Sequence, residues 1–160
     1  MSDFHLAQVN IGRLLAPTDD PRIADFMANL DRINALAEAQ PGFVWRLTGE
    51  GDNATDIRPT PDPLLAINLS TWASLDALAA FVYRSDHRDI MRRRREWFEP
   101  MEIFQTLWWV PASHRPTPAE ALQRLELFRR LGSTPEAFSF RHPFPAPGAV
   151  TITPVLDQCA

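Results

Sequence analysis

Apolar and polar positions alternate along Leu6-Ala7-Gln8-Val9-Asn10-Ile11, with Ala7, Val9 and Ile11 on one side and Gln8 and Asn10 on the other. That period of two predicts a half-buried strand. It returns at Leu65-Ala66-Ile67-Asn68-Leu69-Ser70, and two further stretches, Phe43 to Leu47 and Ile103 to Val110, are short, aromatic and β-branched enough to be strands. Between them the period lengthens. After Asp20-Pro21, an N-cap with proline at the first helical position, Ile23, Phe26, Met27, Leu30, Ile33 and Ala37 recur at helical spacing until Pro41-Gly42 stops the run. From Gly49 to Pro63 the chain collects Gly, Asn, Asp and Pro and predicts a long exposed loop.

A second helix starts at Ser74. Its first stripe is Leu75, Leu78, Ala79 and Val82, and its second is His87, Ile90, Met91, Arg94 and Phe98. The two differ by roughly a third of a turn on a straight helix, which predicts a break near Arg84-Ser85 with Ser85 capping the second piece. Thr117-Pro118-Ala119-Glu120 reads as a capping box for a third helix carrying Leu122, Leu125 and Phe128 up to Gly132. Ala137 to Arg141 could add a short strand, and residues 149–160 read as a tail behind a single domain spanning 1–148. Truncation after Gly148 is expected to leave the melting temperature nearly unchanged.

The order β-α-β-β-α-β with an appended helix is that of an α+β, ferredoxin-like sheet with helices on one face. The other face needs cover. Pairing with a second copy would supply it, so a homodimer in the form of a dimeric α+β barrel is expected.

Composition narrows the function classes. The chain has 160 residues, 45% hydrophobic and 10% aromatic, too rich in large side chains for a disordered protein. No apolar run approaches the roughly 18 residues that span a bilayer, so no membrane role is expected. A net charge of −4 argues against nucleic acid as a partner. All sixteen basic residues are Arg, which excludes Schiff-base chemistry and a Walker lysine. With Cys159 alone there is no internal disulfide, and the first residues lack the pattern of a signal peptide, which leaves a cytoplasmic location as the expectation. The sequence has no HExxH, paired Cys or EF-hand loop, so no protein-only metal site is expected, and no GxSxG elbow.

His87 is the first candidate for chemistry. It shares a helical face with Ile90 and Met91, and a position just after the Ser85 cap favours a neutral ring that accepts a proton or binds a metal; the alternative is a buried histidine satisfied by a carbonyl. Arg94, one stripe further, could bind a ligand carboxylate or simply cover apolar neighbours with its stem. Asn10 and Asn68 each interrupt an apolar strand and could orient a polar ligand or bridge strand ends, while Asn34, on the apolar face of the first helix, could bond back to the sheet. Five tryptophans, Trp45, Trp72, Trp97, Trp108 and Trp109, could wall a flat ligand or fill the core.

Leu69 to Leu78, followed by Phe81, Ser85 and His87, resembles the strand-to-helix junction of antibiotic-biosynthesis and haem-degrading monooxygenases, which are dimeric α+β barrels. Over Asn10 to Phe140, the blocks Asn34-Ala35-Leu36-Ala37, Pro41 to Leu47, Trp97-Phe98 and Trp108-Trp109-Val110-Pro111 resemble a bacterial family catalogued as a domain of unknown function in the same superfamily. The resemblance implies a ligand surrounded by an Asn on the first strand, a Trp before the second helix and a His on that helix, here Asn10, Trp72 and His87. It implies oxidation, cofactor-independent, of a small aromatic or polyketide-like molecule, with haem binding through His87 as an alternative; a non-catalytic homodimeric binding or scaffold protein, with the aromatics at the dimer interface and a structural histidine, is the other reading of the same residues.

Overall fold

Three polar side chains start helices where the sequence places them. Asp20 Oδ1 accepts from the Arg22 amide at 2.9 Å, Ser74 Oγ from the Ala77 amide at 3.1 Å and Thr117 Oγ1 from the Glu120 amide at 3.2 Å. The computed structural model describes residues 3–149. Within them lie strands β1 (Phe4–Arg13), β2 (Phe43–Arg46), β3 (Leu65–Trp72) and β4 (Gln105–Pro111), and helices α1 (Ala24–Ala39), α2 (Leu75–Arg84), α3 (His87–Arg92) and α4 (Pro118–Leu131). A 3-10 turn, Pro21–Ile23, leads into α1. The strands pair antiparallel in the order β2-β3-β1-β4, the split βαβ arrangement expected from the element order.

Local chemistry explains the boundaries. Gly42, beyond the end of α1, has φ 90°, and a Cβ there would meet Ala77 Cβ at 2.5 Å, so only glycine fits this close approach of α2. Helix α2 ends at Arg84 because Ser85 turns extended, at φ −110° and ψ 178°. The Ser85 hydroxyl donates to the Phe81 carbonyl and accepts from the His87 amide, which makes it the hinge between α2 and α3. Of the capping box only half forms: the Glu120 carboxylate lies 3.0 Å from His114 Nε2, in place of the return bond to Thr117. The short strand expected at Ala137 to Arg141 is reduced to single bridges of Phe138 to Leu107 and Ala137 to Thr134. The expected tail lies, save Ala149, outside the described residues.

The two sides of the sheet differ from expectation. Ala7, Val9, Ile11, Ile67, Leu69 and Trp108 form the apolar side, and it is α4, through Ala121 and Leu125, that packs there. Helices therefore flank both faces, not one. The premise for covering this face with a second copy is also removed, because Ala7, Val9 and Leu69 are at most 1% exposed within one chain. A helix joined to β4 by a short loop covers the face without the entropy loss of association.

Helices α1 and α2 pack on the side that carries Gln8, Asn10, Asn68 and Ser70. Apolar clusters close both ends of this layer, Leu6, Trp72, Phe81 and Leu107 at one and Leu14, Ile23, Trp97 and Phe98 at the other. The polar stripe lies between them.

Candidate functional site

Polar side chains under helices carry a desolvation cost unless they bond to one another. The β1–β3 register sets Asn10 opposite Asn68 and Gln8 opposite Ser70. Ser70 Oγ accepts from Trp72 Nε1 and from Gln8 Nε2, both at 2.9 Å. Gln8 Nε2 also donates to Asn68 Oδ1 at 2.6 Å, and Asn10 Nδ2 donates to Gln8 Oε1 at 3.3 Å. The network fixes four side chains as a floor. It leaves Asn68 Nδ2 and Asn10 Oδ1 without partners among the described residues.

Above that floor lies a cavity of about 310 Å³, at the lower end of the range for small-molecule sites and suited to a compact ligand rather than a macrocycle. The α2–α3 break turns His87, Ile90, Met91 and Arg94 into it together, as the second stripe requires. His87 Nδ1 is buried and makes no hydrogen bond of good geometry among the described residues, and the ring lies 4.8 Å from that of Phe81. Burial pulls its pKa below the ordinary histidine value, opposed in part by the Val82 carbonyl. Desolvation, rather than the dipole of a six-residue helix, is thus what keeps this imidazole neutral.

Arg94 is stacked between rings, its guanidinium carbon 4.1 Å from the Phe104 centroid and 4.8 Å from that of Phe98. Its Nη2 donates to the Ile11 carbonyl at 2.7 Å, and burial lowers its pKa from the usual arginine value. Trp72 forms a wall, 1% exposed and stacked on Phe81 at 5.3 Å. Asn34, 9% exposed, lines the cavity from α1. Its amide bonds to nothing among the described residues, so the expected bond back to the sheet is not made.

Asn10, Asn68, Trp72, His87 and Arg94 therefore share one cavity. Trp108 and Trp109 do not. Trp108 pairs with Ala7 and points to the α4 side, where its Nε1 is buried and without a partner among the described residues. Trp109 lies on the helix side but in the end cluster, donating to the Phe144 carbonyl at 2.9 Å. Trp97, one of the five tryptophans considered as ligand walls, belongs to the cavity lining, whereas Gln8 and Ser70 belong to it and escaped the sequence reading. Only the strand register, which sets Gln8 beside Ser70, would have identified these two. No group of three or more His, Cys, Asp or Glu among the described residues is placed to hold a metal ion, and no helix among them is long and apolar enough to cross a membrane.

Comparison with solved structures finds similar folds at low identity. SnoaB, a cofactor-independent oxygenase from Streptomyces nogalater, is 17% identical over 72% of this chain and 97% of its own, with a TM-score of 0.47. A monooxygenase from the gene ActVA-Orf6 of Streptomyces coelicolor, in complex with Nanaomycin D, is 10% identical over 73% and 95%, with a TM-score of 0.44. A conserved protein from Methanosarcina mazei Go1 is 14% identical over 68% and 93%, at 0.48. With TM-scores below 0.5 these likenesses carry no argument about the site, and the fold rests on its own strand pairing. No curated protein matches the chain. A family model described as a domain of unknown function, DUF3291, matches residues 5–153, and the chain belongs to that family.

Proposed function

We propose that this protein binds a compact, partly aromatic organic molecule in the cavity and that His87 accepts a proton from it, in a cofactor-independent, oxygenase-like reaction. The observation that carries the reading is the largely desolvated imidazole of His87 in the lining of a cavity whose floor is a fixed row of amides. A neutral imidazole screened from water is a competent base, and desolvation favours its uncharged form until a substrate proton arrives. Asn10 Oδ1 and Asn68 Nδ2 hold free positions for a polar group of the ligand, and Trp72 gives an aromatic wall. The floor needs no reorganisation, so positioning supplies a large part of the rate. An open volume also separates this reading from a scaffold, whose interior would be filled by side chains.

The test uses 2-tetralone, an enolisable bicyclic ketone, and follows solvent deuterium exchange at its activated methylene by NMR, with an oxygen electrode in parallel. The native protein is expected to accelerate exchange at least about tenfold over His87→Gln. Equal rates for the two proteins would overturn the role of His87. The cavity is built within one chain, so the reading is independent of the homodimer expected from sequence. We carry that dimer as a separate proposal, decided by sedimentation equilibrium at micromolar concentration.

A further inference from the structure

The charge distribution of the cavity is at odds with that of the chain. The protein has twenty Asp and Glu and a net charge of −4, yet among the described residues no carboxylate lines the cavity. Three arginines do: Arg46, Arg58 and Arg94. Arg46 is neutralised by Glu38 at 2.6 Å, outside the lining, and Arg58 donates to the Thr55 carbonyl at 2.7 Å. Arg94 forms no ion pair among the described residues. Neighbouring Arg93, by contrast, binds both Asp25 and Glu96.

A guanidinium has two faces and a rim of five N–H donors. The Phe98 and Phe104 rings pack against Arg94, and Nη2 is spent on the Ile11 carbonyl. The other N–H groups of this half-buried cation have no acceptor among the described residues. A partly desolvated cation without a counter-ion is costly, and stacked rings hold the fork rigid for a planar bidentate partner. From α1, Asn34 adds a second unsatisfied group, nine-tenths buried, with both an amide donor and an amide acceptor to offer.

We infer that the ligand of this cavity is an organic acid, a carboxylate on an apolar ring frame, whose carboxylate pairs with Arg94 while a carbonyl or hydroxyl on the frame meets the Asn34 amide. This rests on the binding reading above and adds to it the charge of the ligand. The chain thus keeps its own carboxylates away from a site that selects one from solution.

Matched probes separate the two claims. Calorimetric titration of the native protein with 2-naphthoate and with 2-naphthamide compares the same ring frame with and without the charge. The acid is expected to bind at least about tenfold more tightly, with a preference that shrinks as sodium chloride rises. Arg94→Gln should abolish the preference by weakening the acid more than the amide, and Arg94→Lys should retain part of it. Asn34→Leu should weaken 6-hydroxy-2-naphthoate more than 2-naphthoate. Equal affinity for acid and amide in the native protein overturns the anion inference and leaves the binding reading standing. Failure of both probes to bind overturns both. The acid-to-amide ratio and its salt dependence need no variant, so they decide the matter even if Arg94→Gln does not fold.

Discussion

Gly12 sits on β1 against Arg94 and Phe98, in the chain that follows α3. A Cβ at this position would lie 2.4 Å from Phe98 Cδ1, 2.8 Å from Phe98 Cε1 and 2.9 Å from Arg94 Nη2. Carbon atoms in good contact are roughly 3.5–4.0 Å apart, so the methyl group of Gly12→Ala is about 1 Å too close. Neither neighbour yields easily. Phe98 is 8% exposed and held edge-on by Phe26 at 5.2 Å, while Arg94 Nη2 is tied to the Ile11 carbonyl. Overpacking of this kind costs about 1–3 kcal/mol. For a chain of this size that lowers the melting temperature by between about 2 and 12 °C. The control is Gly51→Ala, where nothing lies within 4 Å of the new methyl and φ is not positive, so the change should be neutral or stabilising by up to about 1 kcal/mol. Calorimetry and urea unfolding followed by tryptophan fluorescence read both variants. Gly12→Ala unfolding at the same midpoint as the native protein would refute the close packing of Arg94 over the sheet, and with it the fixed direction of the guanidinium.

Acid should destabilise the native protein through His87. Its folded pKa lies below the unfolded value near 6.5, so the unfolded state binds the proton first as pH falls. Stability is then complete above about pH 6.5 and declines below it by at most about 1.4 kcal/mol per unit, until the folded pKa is passed. Urea titrations from pH 7.5 to 5 should show this decline in the native protein and a shallower one in His87→Gln, and parallel profiles would contradict the buried neutral ring. Leu125→Ala, at a residue 1% exposed in the apolar side of the sheet, should cost about 2–5 kcal/mol; a loss below about 1 kcal/mol would mean that α4 does not cover that face. Thr117→Ala removes the cap of α4 and should cost about 1 kcal/mol in the same assay, whereas Thr117→Ser should retain most of the stability.

The sequence carried those features that depend on neighbours close along the chain. The mismatch between the Leu75 and His87 stripes located the hinge at Ser85 and set His87, Ile90, Met91 and Arg94 on one face, which lines the cavity. The caps at Asp20, Ser74 and Thr117 are equally local. The side of the sheet that faces the helices was not readable. Alternation in β1 separates Ala7, Val9 and Ile11 from Gln8 and Asn10, and a polar side normally means solvent. Only pairing across strands shows that Gln8, Asn10, Asn68 and Ser70 satisfy one another and so lie beneath helices at little cost. The same limit misplaced Trp108. Its parity in β4 is fixed by pairing with Ala7, which sends it to the α4 side. Helix α4 itself was read correctly, but a local stripe does not say which face it covers.

The central claim is that a ligand occupies the space between the amide floor and His87. Side-chain amide resonances of the isotope-labelled protein, followed during titration with 2-naphthoate, test it most directly. The account predicts saturable shifts at Gln8, Asn10, Asn34 and Asn68, with Gln123 on α4 unmoved. Shifts confined to Gln123, or none at Gln8, Asn10, Asn34 and Asn68 at saturating probe, would contradict it.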